Sequence, residues 1–211
     1  MELIQLLTSR ELLFISRCAV IVLAVCFLSG CTSAPKRLPN QFYGLQASLP
    51  TQTYGKSVSI EVRPVSIRGV ESSRPLVRLV SDDPIKLEEV SGHLWHMAPA
   101  NMVQQVTVDA LSASSADAVF GTSDSVVNPD YRLKLSIHRF AFSFDASAML
   151  TFDATLTASN GRIVHTRRYL NEVALNSKEI DSAVNAYSLA LRNALKKLAT
   201  DIAKAIEATE L

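Results

Sequence analysis

Three kinds of apolar spacing divide the chain. One is unbroken: Cys18 to Leu28 (CAVIVLAVCFL) runs for eleven residues without a polar side chain. A second alternates with period two, the spacing of a strand with one buried face. Val58, Ile60 and Val62 alternate with Ser59, Glu61 and Arg63 in a strand over Ser57–Val65, and Pro64 confines it to an edge or a strand end. Gln41–Ala47 reads as a first short strand. Leu76–Val80 and Ile85–Val90 read as a pair around the turn-forming Ser81-Asp82-Asp83-Pro84. Tyr131–Phe144 opens with Tyr131, Leu133, Leu135 and Ile137 on one parity and closes with Phe140, Phe142 and Phe144 on the other. One inserted residue reverses the facing of all that follow, so a bulge is expected near His138-Arg139. Ala146–Ala158 turns Leu150, Phe152, Ala154 and Leu156 inward and Thr151, Asp153, Thr155 and Thr157 outward. Asn160-Gly161 is the strongest hairpin signal in the chain and leads into Arg162–Val173, completing an antiparallel meander.

The third spacing is helical. From Leu94 to Ser112, the residues Leu94, Ala98, Met102, Val106, Ala110 and Leu111 share a face, with Pro99 suited to the first turn. The Ser- and Asp-rich connector 112–130 holds one short strand at Ala118–Phe120. The last helix spans Ser177–Glu207. Ile180, Val184, Tyr187, Leu191, Leu195, Leu198, Ile202 and Ile206 form one stripe, and alanines keep it slim. Asn176 is the expected cap, with Glu179 completing a capping box.

The unbroken run decides the chain's address. Arg10 and Arg17 precede it, small Ser29 and Gly30 follow it, and eleven residues fall well short of the roughly 20 that span a bilayer. The next residue is Cys31. Leu28-Ser29-Gly30-Cys31 resembles the lipobox of bacterial lipoproteins, with cleavage between Gly30 and Cys31. Cys31 would then carry a diacylglycerol and an N-acyl chain, and two or more chains anchor stably where one does not. The expected organisation is a signal peptide over 1–30, an acylated tether over 31–40 with Pro35 and Pro39, and a globular domain over 41–208. Thr32 stands where enteric-type lipoproteins retained in the inner membrane carry Asp. By that resemblance the protein faces the periplasm from the inner leaflet of the outer membrane.

Charge and cysteine usage narrow the chemistry. Glu2 and Glu11 offset Arg10 and Arg17, so the mature chain keeps the net charge of +1. That balance gives no basic surface for nucleic acid and no long-range field toward an acidic membrane. Membrane contact is expected through the lipid anchor. Of three cysteines, Cys18 and Cys26 leave with the signal and Cys31 is acylated. No thiol nucleophile, thiolate metal site or internal disulfide remains. His93 and His96 have H-x-x-H spacing, with Glu88 and Glu89 near, but a metal needs a third ligand on a defined element; they read as solvated loop histidines. There is no G-x-S-x-G, no phosphate-cradling loop among seven glycines, and Asp82-Asp83 is a turn pair. Neither a metal, a cofactor nor catalysis is expected. Trp95 is either an interface anchor or a cap on the core between first helix and sheet, the second being preferred. Phe140, Phe142 and Phe144 either line a lipid groove or form the sheet face beneath the last helix, again with the second preferred.

The order of these landmarks resembles the ABC-type transport auxiliary lipoproteins, the group typified by paraquat-inducible protein C. The matching residues are Cys31; Phe42-Tyr43-Gly44-Leu45; Ile60-Glu61-Val62-Arg63-Pro64-Val65; Arg74-Pro75-Leu76-Val77; Trp95 ahead of the first helix; then the meander and the long last helix. The resemblance implies an α+β fold, a mixed, largely antiparallel sheet with the two helices packed on one face. It also implies a non-catalytic accessory role beside a transport system whose MCE-type periplasmic protein carries lipids between the membranes. Two rival roles are a lipid carrier with its own apolar groove and an envelope assembly or stress lipoprotein unrelated to transport. Self-association into a ring, a homo-oligomer around an elongated partner, is compatible with the composition without being demanded by it.

Overall fold

The computed structural model describes residues 39–209. In chain order these form β1 (Gln41–Tyr43), β2 (Val58–Val62), a 3-10 turn (Val70–Ser72), β3 (Pro75–Asp82), β4 (Ile85–Trp95), α1 (Pro99–Ser114), β5 (Ala118–Gly121), β6 (Tyr131–Phe142), β7 (Ser147–Ala158), β8 (Ile163–Ala174) and α2 (Ile180–Glu207). The fold is α+β, with all eight strands in one mixed sheet.

The sheet is built outward from β6. One flank of β6 pairs antiparallel with β7 along its whole length, and β7 pairs antiparallel with β8. The other flank is shared. The start of β6 pairs parallel with β2, from Ile60↔Tyr131 to Val62↔Leu133, and its end meets β3 at Arg78↔Phe142. Beyond β2 lies β5, and beyond β3 lie β4 and then β1. The long ladders are the antiparallel ones, where short turns make pairing local. At the β7–β8 turn Gly161 has φ +85°, a conformation a side chain disfavours, and the Arg162 N–H donates to Asn160 Oδ1 at 3.0 Å.

The bulge forms where the parity break demands it. Ile137 faces Phe152 and Arg139 faces Thr151, leaving His138 as the extra residue. Tyr131, Leu133, Leu135 and Ile137 therefore share a buried face with Phe140 and Phe142 although their parities differ. Both helices close that face. Met102, Val103 and Leu111 of α1 join Val184, Tyr187, Leu191, Leu195, Leu198, Ile202 and Ile206 of α2 in a single core. Ala183, Ala186, Ala190 and Ala194 are buried as well, which lets α2 lie close to the strands. On the opposite face Val77, Leu79 and Ala141, with Leu87 and Met149, form a second, smaller cluster.

Four details depart from the sequence pattern, each for a local reason. β4 continues past Val90 to Trp95 because β1 supplies a parallel ladder from Gln41↔His93 to Tyr43↔Trp95 on one side, while on the other Pro75 of β3 pairs with Leu94 and the Trp95 N–H donates to the Arg74 carbonyl at 2.7 Å. Leu94 and Trp95 are thus strand residues, and α1 begins with Pro99 in its first turn. β1 stops at Tyr43, where its carbonyl accepts from the His96 N–H at 2.8 Å and the partner strand has ended. β2 stops at Val62, and with β5 and β6 on either side it is an interior strand, with Pro64 beyond its end. The capping box of Asn176 and Glu179 does not form. The Ser182 hydroxyl instead accepts from the backbone N–H groups of Asn176 and Ser177, at 2.9 and 3.1 Å, and the helix begins after Glu179.

Leu191 is fully buried at the centre of the α2 stripe. Leu191→Asp is expected to cost about 4 kcal/mol or more, most of the margin of an ordinary domain. Urea unfolding followed by circular dichroism checks this; an unchanged midpoint would mean that this face of α2 is not packed.

Candidate functional site

Aromatic and polar side chains gather in three places, and of the candidate residues Trp95, Phe140, Phe142, Phe144, His93 and His96 fall in the first two. The first is interior. Trp95 is 1% exposed at the end of β4. Its ring centroid lies 5.3 Å from that of Phe140 and 5.5 Å from that of Tyr187. Tyr187 lies 4.7 Å from Phe140 and 6.3 Å from Phe142. These rings face one another across the layer between sheet and α2, so Trp95, Phe140 and Phe142 present no surface to a partner or a lipid. Phe144 sits past the end of β6, half-buried, edge-on to Phe142 at 5.0 Å, with the Arg78 guanidinium 5.7 Å over its ring.

Beside this cluster lies a polar contact that the sequence does not reveal. Glu71, in the 3-10 turn, is buried, and its Oε1 accepts from the Phe140 N–H at 2.9 Å and lies 3.9 Å from Arg139 Nε. It thereby fastens the turn to β6 just after the bulge. Among the described residues the Tyr187 hydroxyl has no hydrogen-bond partner; burial first, and the Glu71 carboxylate second, hold its pKa well above the ordinary phenol value.

The second place is the corner where the described chain begins. Tyr43 Oη donates to Gln41 Oε1 at 2.6 Å and lies 2.9 Å from His93 Nδ1, while its ring stacks on the imidazole. His96 Nδ1 lies 3.0 Å from the Tyr43 carbonyl oxygen, so it is the donor there. His93 belongs to β4 rather than to a loop, and the two histidines serve different contacts. No group of three potential metal ligands occurs among the described residues. Arg74 spans the same corner. It donates to the carbonyls of Trp95 and His96 at 3.3 and 3.2 Å, and its guanidinium lies 5.7 Å from the ring of Phe42, which is 57% exposed.

The third place is a groove of about 620 Å³ between residues 45–48 and the two helices. Leu45, Val106 and Leu189 give it an apolar floor, while Asp109 and Arg192 supply one charge of each sign. It is an open trough, lined by neither histidine nor cysteine. On the helix-free face of the sheet, Asp153 receives Arg168 Nε at 2.7 Å and Nη2 at 3.0 Å, and His138 Nε2 at 2.7 Å. The Arg168 guanidinium chiefly, and His138 after it, hold the Asp153 carboxyl below the usual carboxylate range. None of these places assembles a nucleophile, a base and an orienting group among the described residues. Gly30 and Cys31 lie outside the described residues.

The described residues thus form a single α+β layer pair with a packed core and open surface troughs. Residues 43–203 match the family described as ABC-type transport auxiliary lipoprotein component, and the chain belongs to that family. Solved structures share the fold. Protein XCC0632 from Xanthomonas campestris, assigned to the family DUF330, is 18% identical with a TM-score of 0.66 over 80% of this chain and 99% of that one. An uncharacterized protein is 15% identical with a TM-score of 0.65 over the same shares. PelC from Paraburkholderia phytofirmans, a dodecamer, is 14% identical with a TM-score of 0.44 over 74% of this chain and 94% of that one. No curated protein matches the chain.

Two measurements test these placements. Trp95→Ala opens a cavity among three elements and is expected to cost about 3–5 kcal/mol, with loss of the near-ultraviolet dichroism of the ring cluster; a drop below about 1 kcal/mol would place the indole outside the core. Asp153 has a lowered pKa in the folded state, so its contribution is present above the unfolded value of about 3.9 and is lost as pH falls toward the folded one. Asp153→Asn should flatten the fall in melting temperature between about pH 5 and pH 2, by a small amount because the pair is solvent-screened and more so in salt. Parallel pH profiles of the two proteins would contradict the ion pair.

Proposed function

We propose that this is an outer-membrane-anchored periplasmic lipoprotein that serves, without catalysis, as an accessory component of an MCE-type ABC transport system moving lipids between the inner and outer membranes. The observation that carries this reading is the family match over residues 43–203. The sequence supports the anchoring. Leu28-Ser29-Gly30-Cys31 supplies the acylation and cleavage signal, and Thr32 in place of Asp favours release from the inner membrane. Among the described residues no helix is long and apolar enough to cross a membrane, which fits attachment by acyl chains on Cys31. The domain then acts as a docking module for the MCE-domain protein that spans the periplasm. The packed layer of Trp95, Phe140, Phe142 and Tyr187 leaves the role of lipid carrier to that partner.

Crosslinking and affinity capture of the tagged, membrane-anchored protein, followed by mass spectrometry, test the role. Recovery of an MCE-domain periplasmic protein is expected. Recovery of phospholipid with no such partner would replace the accessory reading with that of a carrier. The anchor is tested separately: Cys31→Ser is expected to abolish acyl labelling and leave the signal peptide uncut, and unchanged labelling and membrane attachment would refute it.

A further inference from the structure

We propose that the cleft between the free edge of β8 and α2 docks an extended acidic segment of a partner protein, which adds to the sheet as a further strand beside β8. This surface is distinct from the lipid anchor, and the proposal stands whether or not the partner belongs to a lipid transporter.

The first support is the edge itself. β8 is twelve residues long, and among the described residues it pairs with β7 alone. In an antiparallel ladder alternate residues of an edge strand turn their N–H and C=O groups outward, so β8 offers a row of unpaired backbone groups roughly 40 Å long. β1 and β5 also border the sheet, but they have only three and four residues. α2 overhangs β8 and makes the edge one wall of an open cleft of about 700 Å³. Leu170 stands at its rim, 69% exposed.

The second support is the chemistry of the walls. Asn171 is 9% exposed, lines the cleft, and among the described residues its Nδ2 amide has no hydrogen-bond partner. Lys196 and Lys197 line it from α2, and neither forms an ion pair among the described residues. Both carboxylates of the lining already have partners. Asp201 Oδ2 receives Arg167 Nη1 at 3.0 Å and the Tyr169 hydroxyl at 2.7 Å. Glu172 accepts from the Ser147 hydroxyl. The two lysine charges are therefore left unanswered by a carboxylate of the cleft, which selects an occupant rich in carboxylates.

The same charges argue against a second copy. Pairing two β8 edges would bring the unpaired lysines Lys196 and Lys197 of one copy toward those of the other, and such charge is a common protection of edges against self-association. An anionic lipid could answer the lysines but would leave the backbone row unpaired. An added strand answers both.

The test uses the full lipidated protein in detergent micelles and a fluorescein-labelled octapeptide alternating glutamate and valine, with its lysine–valine counterpart as control. Binding of the acidic peptide is read by anisotropy and its location by amide hydrogen exchange. The expected result is saturable binding of the acidic peptide only, slowed exchange confined to β8, and affinity roughly tenfold lower in the double variant Lys196→Glu, Lys197→Glu, whose exposed sites leave the fold intact. Asn171→Asp, which removes the spare donor and adds a like charge, should weaken binding too. Absence of binding overturns the proposal. So does binding that leaves β8 exchange unchanged, or displacement of the peptide by phosphatidylglycerol but not phosphatidylcholine vesicles together with no protection of β8; the last pattern would assign the lysines to lipid headgroups.

Discussion

The structure depends on one contact between rings that are distant in sequence. Trp95 ends β4, Phe140 and Phe142 end β6, and Tyr187 lies in the first half of α2. Their mutual packing ties the outer part of the sheet, the central strand and the covering helix to one another. Remove it and each element keeps its local hydrogen bonds but loses its position relative to the other two. The bulge at His138 serves this contact. Without an inserted residue Phe140 and Phe142 would emerge on the helix-free face, and the first half of β6 could not share a core with the second. Glu71 completes the arrangement by satisfying the Phe140 N–H from outside the sheet. In a domain with no cysteine pairing among its described residues, rigidity comes from packing of this kind alone.

How much of this could be read in the chain follows from how local each signal is. The β6–β7–β8 meander was legible because period, parity break and Asn160-Gly161 all lie within the segments they shape. The length and apolar face of α2 were legible for the same reason. The extension of β4 to Trp95 was not, because it is held by β1, whose three residues carry no strong signal by themselves, and by Arg74 and Pro75, which pair with it across a register shift. The start of α2 differs from the expected one because Ser182, a residue inside the helix, accepts the Asn176 N–H that Glu179 would take in a capping box, and the Ser177 N–H as well. Of the candidate site residues, Trp95, Phe140 and Phe142 have the composition of a binding surface and the position of a core; aromatic side chains serve both ends, and only the third dimension separates them. Periodicity puts Asn171 on the inner parity with Tyr169 and leaves Lys196 and Lys197 outside the α2 stripe, but it does not show that they line one cleft, and nothing around Glu71 marks it for burial.

The division of labour is therefore plain. The interior of this family member is filled by its own side chains, and its open features lie on the periphery: the groove beside α1 and α2, the corner of Tyr43, His93 and Arg74, and the cleft beside β8. Such a distribution suits a module that engages other molecules by surface complementarity, with affinity set by a few desolvated groups rather than by an engulfing cavity.

The order of the strands also sets how the chain can reach this state. β1 must wait for β4, and β2 has no partner at all until β5 and β6 have been made. The C-terminal half, by contrast, consists of two hairpin connections and a helix that folds back on them. Long-range pairing is thus concentrated in β1 and β2, whereas β3–β4 and β6–β7–β8 pair with their sequence neighbours. While the chain is being made, the buried side chains of β2, Val58, Ile60 and Val62, have no strand to pair with until β5 and β6 exist. Among the strands it is thus an early-made one whose protection from aggregation waits on residues made much later.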